Sequence, residues 1–409
     1  IPNKAVAVIG MRRAGKTTFL WQLLAERLAQ GIDREGLLYF GFEDERLAGM
    51  SAGDLNLLVE EYYRLNPAWR DQRRASFFLD EIQNVPGWES FVRRLLDSEQ
   101  IDLFVSGSSA RLLSREVATS MRGRAIETRI HPFSFREYLR HRGREPATPI
   151  QRITKAERSS LEKDMRDYLT TGGFPEAQNL DRRDRHELLQ GYVDVVMLRD
   201  VIERHAVSHP VALRWMVRQL LGNAAGAFSV NKFHGDLKSQ GIAVAKDTLH
   251  DYLGHLEDTF LVRLITVATD SERRRMVNPR KVYPIDPGLI PVFDRSGKAN
   301  LGHALETAVM LQLDRRGAEL AYVHTSGGYQ VDFLARLPEG TEELIQVCAS
   351  LDDTATRERE VRALLDAATE RPRAKLRIIS LDIPPRLDMP KAITVSTAAD
   401  WMLAVESQP

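Results

Sequence analysis

The sequence predicts an α/β protein that opens on a parallel sheet, passes through a mainly helical middle and closes on a second α/β region. Three observations carry that prediction. Over the first 130 residues, short β-branched or aromatic runs alternate with amphipathic helical segments, the pattern of a parallel sheet covered on both faces. Between the first run and the first helix stands the octet Gly10-Met11-Arg12-Arg13-Ala14-Gly15-Lys16-Thr17. Over the last hundred residues the order helix, three strands, helix, strand follows a stretch that is nearly all helix.

Taken in order, residues 5–10 read as a strand and 16–30 as a helix with Phe19, Leu20, Leu23, Leu24 and Leu28 on one side. Residues 37–42 form a strand, 54–64 a helix, 76–80 a strand, 88–96 a helix and 103–106 a strand. A helix over 110–120 and a fifth strand over 125–130 complete the first domain, 1–145, which ends at a polar, proline-bearing linker. Residues 150–226 read as a helical domain, broken at Thr171-Gly172-Gly173-Phe174-Pro175. Residues 227–290 give short helices, a helix over 246–261, a strand over 262–269, a basic turn and a strand over 281–285. That is the order of a helix-turn-helix with a two-strand wing. The last domain, 297–409, has a helix over 303–315, strands over 320–324, 330–335 and 343–348, a helix over 354–369, a strand over 376–381 and a final strand-helix pair.

Composition narrows the functional classes. Of 409 residues, 57 are Lys or Arg and 57 are Asp or Glu, so any case for nucleic-acid binding rests on local clusters rather than net charge. The lone Cys348 excludes an internal disulfide framework and suits a reducing compartment. No apolar run approaches the roughly 20 residues that cross a bilayer, so no membrane partner is expected and the cytoplasm is the expected location. The chain starts without Met and runs almost directly into its first strand, so residues upstream of Ile1 are expected.

The octet matches G-x-x-x-x-G-K-[ST] at every specified position, in a strand-loop-helix context. Such a loop turns backbone N–H groups onto phosphates at a helix N-terminus. Gly10, Arg13, Ala14, Gly15, Lys16, Thr17 and Thr18 are therefore the expected ATP contacts, with Lys16 on the β- and γ-phosphates and Thr17 on Mg²⁺. The buried run Ser76-Phe77-Phe78-Leu79 ends in Asp80, expected to hold Mg²⁺ through water, and Glu81, expected to polarise the attacking water. Ser108 is the expected γ-phosphate sensor, with Ser106 in reserve and an ordinary serine-rich loop as the alternative. Arg124, just before the fifth strand, is the expected arginine finger of a neighbouring subunit, unless it only caps a helix C-terminus. Arg12 and Arg13 stay open between phosphate and subunit contacts.

These motifs occur in a specific order. Arg12–Thr18, Leu79-Asp80-Glu81-Ile82-Gln83, Ser106–Ser109 and Gly123-Arg124 are followed by His131–Tyr138 and Gly172-Gly173-Phe174-Pro175-Glu176. Tyr192 to Val201 and Pro279-Arg280-Lys281-Val282-Tyr283-Pro284-Ile285-Asp286 come next. Together they resemble the prokaryotic AAA-type ATPases that carry a DUF4143 C-terminal region, over nearly the whole chain. The resemblance implies a P-loop AAA-type ATPase core, a winged helix and a restriction-endonuclease-like terminal domain. With Arg124 read as a finger between subunits, a homo-oligomeric ring is expected, a hexamer being one candidate size.

In the winged helix, 246–261 would be the recognition helix, with Lys246, His250 and His255 as its polar candidates and Arg273, Arg274 and Arg275 at the wing tip. Adjacent arginines suit DNA phosphates, although such a module can instead pack on its own core. The terminal αβββαβ order is that of the PD-(D/E)xK nuclease core, which holds Mg²⁺ on carboxylates beside a lysine. Glu306 and Asp332 match that pattern, Gln346 replaces the usual acid, and Cys348 stands where the lysine belongs. Lys298 or another base could fill the gap, and His303 and His324 could join a metal or stand alone. The function expected first is an ATP-driven motor or remodeller of branched or duplex DNA, including junction migration, with a degenerate or atypical nuclease domain. A nucleotide switch without motor activity and an ATP-gated, Mg²⁺-dependent nuclease are the alternatives.

Overall fold

A computed structural model of the chain describes residues 4–70, 72–108, 125–294 and 300–404. The helix expected over 110–120, the residues Ser109, Gly123 and Arg124, and Lys298 lie outside the described residues. Contacts gather the chain into two units, Ile1–His131 with Asp258–Phe260, and Pro132–Glu257 with Leu261–Pro409.

The first unit follows the strand-helix alternation read from the sequence. Its elements are β1 (Ala5–Ile9), α1 (Lys16–Ala29), β2 (Leu37–Gly41), α2 (Leu55–Leu65), β3 (Ala75–Asp80), α3 (Trp88–Ser98), β4 (Ile101–Gly107) and β5 (Ala125–Arg129). The strands pair in the order β2-β3-β4-β1-β5, and every pairing is parallel. Alternation along β3 shows why both faces are covered. Phe77 and Leu79 join the core formed with α2 and α3, whereas Phe78 packs with Leu20 of α1 and stacks on Phe104 at 4.8 Å. All six residues of β3 are buried, and each large apolar side chain so placed contributes roughly 1.5–3 kcal/mol. The sheet thus presents the C-terminal ends of β1, β3 and β4 side by side, the edge at which doubly wound proteins bind ligands.

The second unit begins with helices: α4 (Phe135–His141), α5 (Lys155–Thr171), α6 (Arg182–Val195), a π-helical turn over Val196–Glu203, and α7 (Pro210–Gly222). Ser134 with Glu137 and Thr154 with Glu157 make full capping boxes, which fix the starts of α4 and α5. Then come β6 (Ala227–Phe228), α8 (Val230–Ser239), α9 (Lys246–Asp258), β7 (Val262–Val267), α10 (Glu272–Val277), β8 (Arg280–Pro284) and α11 (Ile290–Phe293). The last segment is α12 (Leu301–Arg315), β9 (Glu319–His324), β10 (Gln330–Arg336), β11 (Glu342–Ser350), α13 (Thr354–Glu370), β12 (Lys375–Asp382), β13 (Ile393–Thr397) and α14 (Ala398–Leu403).

Eight strands of this unit form one sheet in the order β13-β12-β11-β10-β9-β7-β8-β6. The antiparallel pair β7-β8 expected for a wing is present, but β7 also pairs in parallel with β9 through Thr266 and Val267, so the pair continues into the terminal strands. The expected basic turn is instead the short helix α10, capped by Ser271. α12 is buried on all sides from Ala304 to Leu311, as its nearly unbroken apolar run demands.

Candidate active site

The phosphate loop starts where β1 ends. Gly10 adopts φ +151°, and a Cβ there would lie 2.2 Å from the Ile130 carbonyl oxygen, so neither conformation nor space admits a side chain. Gly15, at φ +108°, faces open space and is needed for its backbone angle alone. Between them Arg13 is exposed at φ +66°, and the buried Ala14 returns its N–H to the Met11 carbonyl at 3.3 Å. α1 has no side-chain cap and no acid in its first turn, so its leading N–H groups favour an anion. Thr17 and Thr18 are exposed in that turn.

Lys16 is only 4% exposed, with its ammonium 3.3 Å from the Met11 carbonyl and 3.3 Å from Glu81 Oε1. Asp80 is the meeting point of three hydroxyls. Thr17 Oγ1 and Tyr39 OH each donate to Asp80 Oδ2 at 2.8 Å, and the Ser106 hydroxyl donates to Oδ1. Ser106 also accepts the Glu81 N–H at 2.9 Å, so one serine fixes both acids. These donors arrive from α1 and from β2 and β4, the two strands flanking β3. Burial, together with the Asp80 carboxylate, pushes the Tyr39 phenol well above its usual range, so it stays a donor. Trp21 stacks on the Tyr39 ring at 4.2 Å. Glu81 stands at φ +53°, in the left-handed region, and accepts a hydrogen bond from the Gln83 amide.

The expected sensor and its reserve separate clearly. Ser106 is engaged in holding Asp80 and Glu81, whereas Ser108 is 1% exposed and its hydroxyl has no partner among the described residues. Arg12 pairs with Glu43 at 2.8 Å. Tyr39 carried no motif signal, while Gln83 lay inside the quoted Asp-Glu run and was readable as part of it.

The fit to ATP and Mg²⁺ follows from these contacts. The loop offers a backbone cradle, Thr17 and Asp80 already meet as an oxygen pair suited to a hard cation, and the buried Ser108 hydroxyl has no acceptor among the described residues. Bound Mg²⁺ would neutralise charge on the phosphate oxygens.

A second polar centre lies in the other unit. Glu306 on α12, Asp332 on β10 and Gln346 on β11 come together, joined by three residues that sequence patterning did not assign to them. Lys281 of β8 reaches Glu306 Oε1 and Asp332 Oδ1 at 2.8 Å each, Tyr283 donates to Glu306 Oε1 at 2.7 Å, and Gln346 donates to Glu360 at 2.6 Å. Lys281 and Tyr283 both stand in the Pro279–Asp286 run, whose alternation places them on one face of a strand. Cys348 is buried, which pushes its thiol up to about 12 and keeps it neutral, and a thiol carries no positive charge in either protonation state, so it cannot replace a lysine. His303 pairs with Asn300 at 2.8 Å, and His324 stands edge-on to Tyr322. Among the described residues no group of three or more His, Cys, Asp or Glu is placed to hold a metal.

The candidate DNA contacts divide. Lys246 and His250 are exposed on α9, but His255 stacks on His205 with ring centroids 3.8 Å apart. Arg273 and Arg274 are exposed on α10, while Arg275 pairs with Glu272 at 2.6 Å and with the Thr269 carbonyl at 2.9 Å. The three arginines therefore stand on a short helix within the connection between the antiparallel strands β7 and β8.

Comparison with known families supports an AAA-type ATPase. Residues 2–139 match the family model described as an AAA domain, and residues 162–298 match a domain of unknown function, DUF8612, in place of the DUF4143 region expected from the motifs. An uncharacterized protein of Methanocaldococcus jannaschii is 35% identical over 89% of this chain and 78% of its own length. An uncharacterized protein of Haemophilus influenzae is 29% identical over 80% of this chain and 78% of its own length. Among solved structures, a Walker-type ATPase of Pyrococcus abyssi is similar at 15% identity and a TM-score of 0.41, covering 71% of this chain and 90% of that one.

Proposed function

Because the chain belongs to the family of AAA-type ATPases, we propose that it hydrolyses ATP at the Lys16–Asp80–Glu81 centre and spends the energy on remodelling duplex or branched DNA as a homo-oligomeric ring. The observation that carries the hydrolytic part is the hydrogen bond of Thr17 to Asp80, which sets the two expected Mg²⁺ ligands face to face beneath the phosphate loop. Lys16 meets the β- and γ-phosphates, Glu81 orients the attacking water, and the Ser108 hydroxyl, without a partner among the described residues, reads the γ-phosphate. Arg124 of a neighbouring subunit completes the charge at the γ-phosphate, which makes the isolated monomer nearly inactive. Support for DNA comes from the exposed Lys246, Arg273 and Arg274, which suit phosphate contacts without base readout.

The test measures ATP turnover without DNA and with single-stranded, linear duplex and four-way-junction DNA, alongside native mass. Turnover raised about tenfold or more by one DNA form in a ring-sized species is the expected result. A nucleotide switch is the second reading, and the contact of Lys16 with Glu81 favours it, because an arriving γ-phosphate must compete for that lysine. Slow turnover that no DNA form accelerates would establish the switch and overturn the DNA motor.

A further inference from the structure

The nuclease-fold resemblance asks for a divalent ion at Glu306 and Asp332, and the residues around them do not fit one. Mg²⁺ needs carboxylate lone pairs at about 2.0–2.1 Å in octahedral array. Here three of the four carboxylate oxygens of Glu306 and Asp332 already hold donors of the chain. Asp332 takes Lys281 on Oδ1 and the Val347 N–H on Oδ2 at 3.0 Å. Glu306 Oε1 takes both Lys281 and Tyr283. Gln346, at the third ligand position, spends its amide oxygen on the Asp332 N–H at 2.8 Å and its amide nitrogen on Glu360 and the Gln330 carbonyl. A cavity of about 370 Å³ opens beside the cluster, lined by Glu306, Asp332, Gln346 and Glu360 among others. The Lys281 residue itself is 5% exposed.

We propose that the Lys281 ammonium is the resident cation of this centre, standing between Glu306 and Asp332 in place of a divalent ion, so that the natural chain neither binds metal there nor cleaves DNA there. Lysine enters from β8, some fifty residues before Asp332 in the chain, and not from the Cys348 position of β11. Burial works to lower the Lys281 pKa, but Asp332 and Glu306 together raise it above that of a free lysine, which keeps the charge in place. A fixed ammonium satisfies the same two carboxylates that a cation would, with no entry path or coordination sphere required.

The experiment titrates Mn²⁺ into the nucleotide-free full chain, reading free Mn²⁺ by electron paramagnetic resonance. Wild type and Asp332→Asn give superimposable curves, because Asp332 holds no ion, and neither cuts linear or branched DNA in Mg²⁺ or Mn²⁺. Lys281→Met gains one Mn²⁺ per chain, bound at least tenfold more tightly than any ion on the wild type, and Lys281→Met with Asp332→Asn loses it. Lys281→Gln repeats the test with a polar replacement if the Met variant does not fold. Two results overturn the proposal. One is Mn²⁺ uptake or DNA cleavage by the wild type that falls in Asp332→Asn. The other is a folded Lys281 variant that gains no ion.

Discussion

Two buried lysines meet two sets of carboxylates in this chain, and they engage them differently. Lys16 touches one carboxylate oxygen, at 3.3 Å, from the first turn of a helix that follows a glycine loop. Lys281 touches two carboxylates, both at 2.8 Å, from the second residue of a strand. In the first region the acids are organised by hydroxyls of Thr17, Tyr39 and Ser106, which orient Asp80 without neutralising it. In the second the chain supplies the neutralising charge itself. The difference teaches that residue type alone does not make a cation site. What decides is whether the lysine approaches along the ligand's path or sits in the ligand's place.

The comparison is most easily broken at Lys16. Lys16→Ala should lower ATP turnover by at least about 100-fold and abolish tight nucleotide binding, measured by phosphate release and by titration with a fluorescent ATP analogue. Glu81→Gln should keep ATP affinity within several-fold yet lower turnover by about 100-fold or more, the size expected for loss of a general base. Turnover equal to wild type would remove Glu81 from that role.

Stability should show the reverse ranking. Lys281→Met leaves the buried Glu306 and the half-buried Asp332 without their cation and should cost about 3–5 kcal/mol in denaturant unfolding, with ATP turnover of the folded variant within about twofold of wild type. A smaller destabilisation would mean that the carboxylates neutralise themselves by taking up protons.

Asp286 sharpens the point, because it is a buried carboxylate held largely by backbone donors. Its oxygens accept the Gly173 N–H at 2.6 Å and the Gly288 N–H at 2.8 Å, yet burial raises its pKa to about 6. The folded chain therefore binds this proton more tightly than the unfolded chain does. The stability it lends is full below about pH 4 and is lost as pH rises through about 6, by about 3 kcal/mol in all. Asp286→Asn should lack that part of the pH slope, so unfolding free energies of wild type and variant should converge or cross between pH 4 and 7. Parallel curves would assign the slope to other groups.

The smallest effect is expected at Tyr39. Tyr39→Phe removes one hydrogen bond to Asp80 at about 1 kcal/mol, and should raise the Mg²⁺ concentration for half-maximal turnover several-fold with little change at saturating Mg²⁺. An unchanged Mg²⁺ dependence would leave the tyrosine a packing partner of Trp21 only.

Much of this was legible along the chain. The five strands of the first unit, the helical stretch after the linker and the helix-strand order of the terminal segment are local patterns, and their ends fall within a few residues of the expectation. The glycine loop and the Asp80-Glu81 pair are contiguous motifs, so neighbouring residues specify them. The reserve sensor Ser106 shows the limit. That a serine near the end of β4 faces the site could be read, but its clasp on Asp80 depends on β3 and β4 being paired side by side.

The sequence by itself determined the phosphate loop, the acids that follow it and the alternation that buries the first sheet, because each depends on backbone angles and periodicities spanning a few residues. Only the tertiary structure decided the second centre. Its lysine and carboxylates come from β8, α12 and β10, and the 2.8 Å contacts exist because β7 bridges β8 to β9 and the terminal strands in one sheet. A helix with nine buried residues also carries Glu306 inward, where a charge survives only with a partner. No spacing in the sequence encodes that partner, because strand pairing across fifty residues is set by the packing of the whole unit.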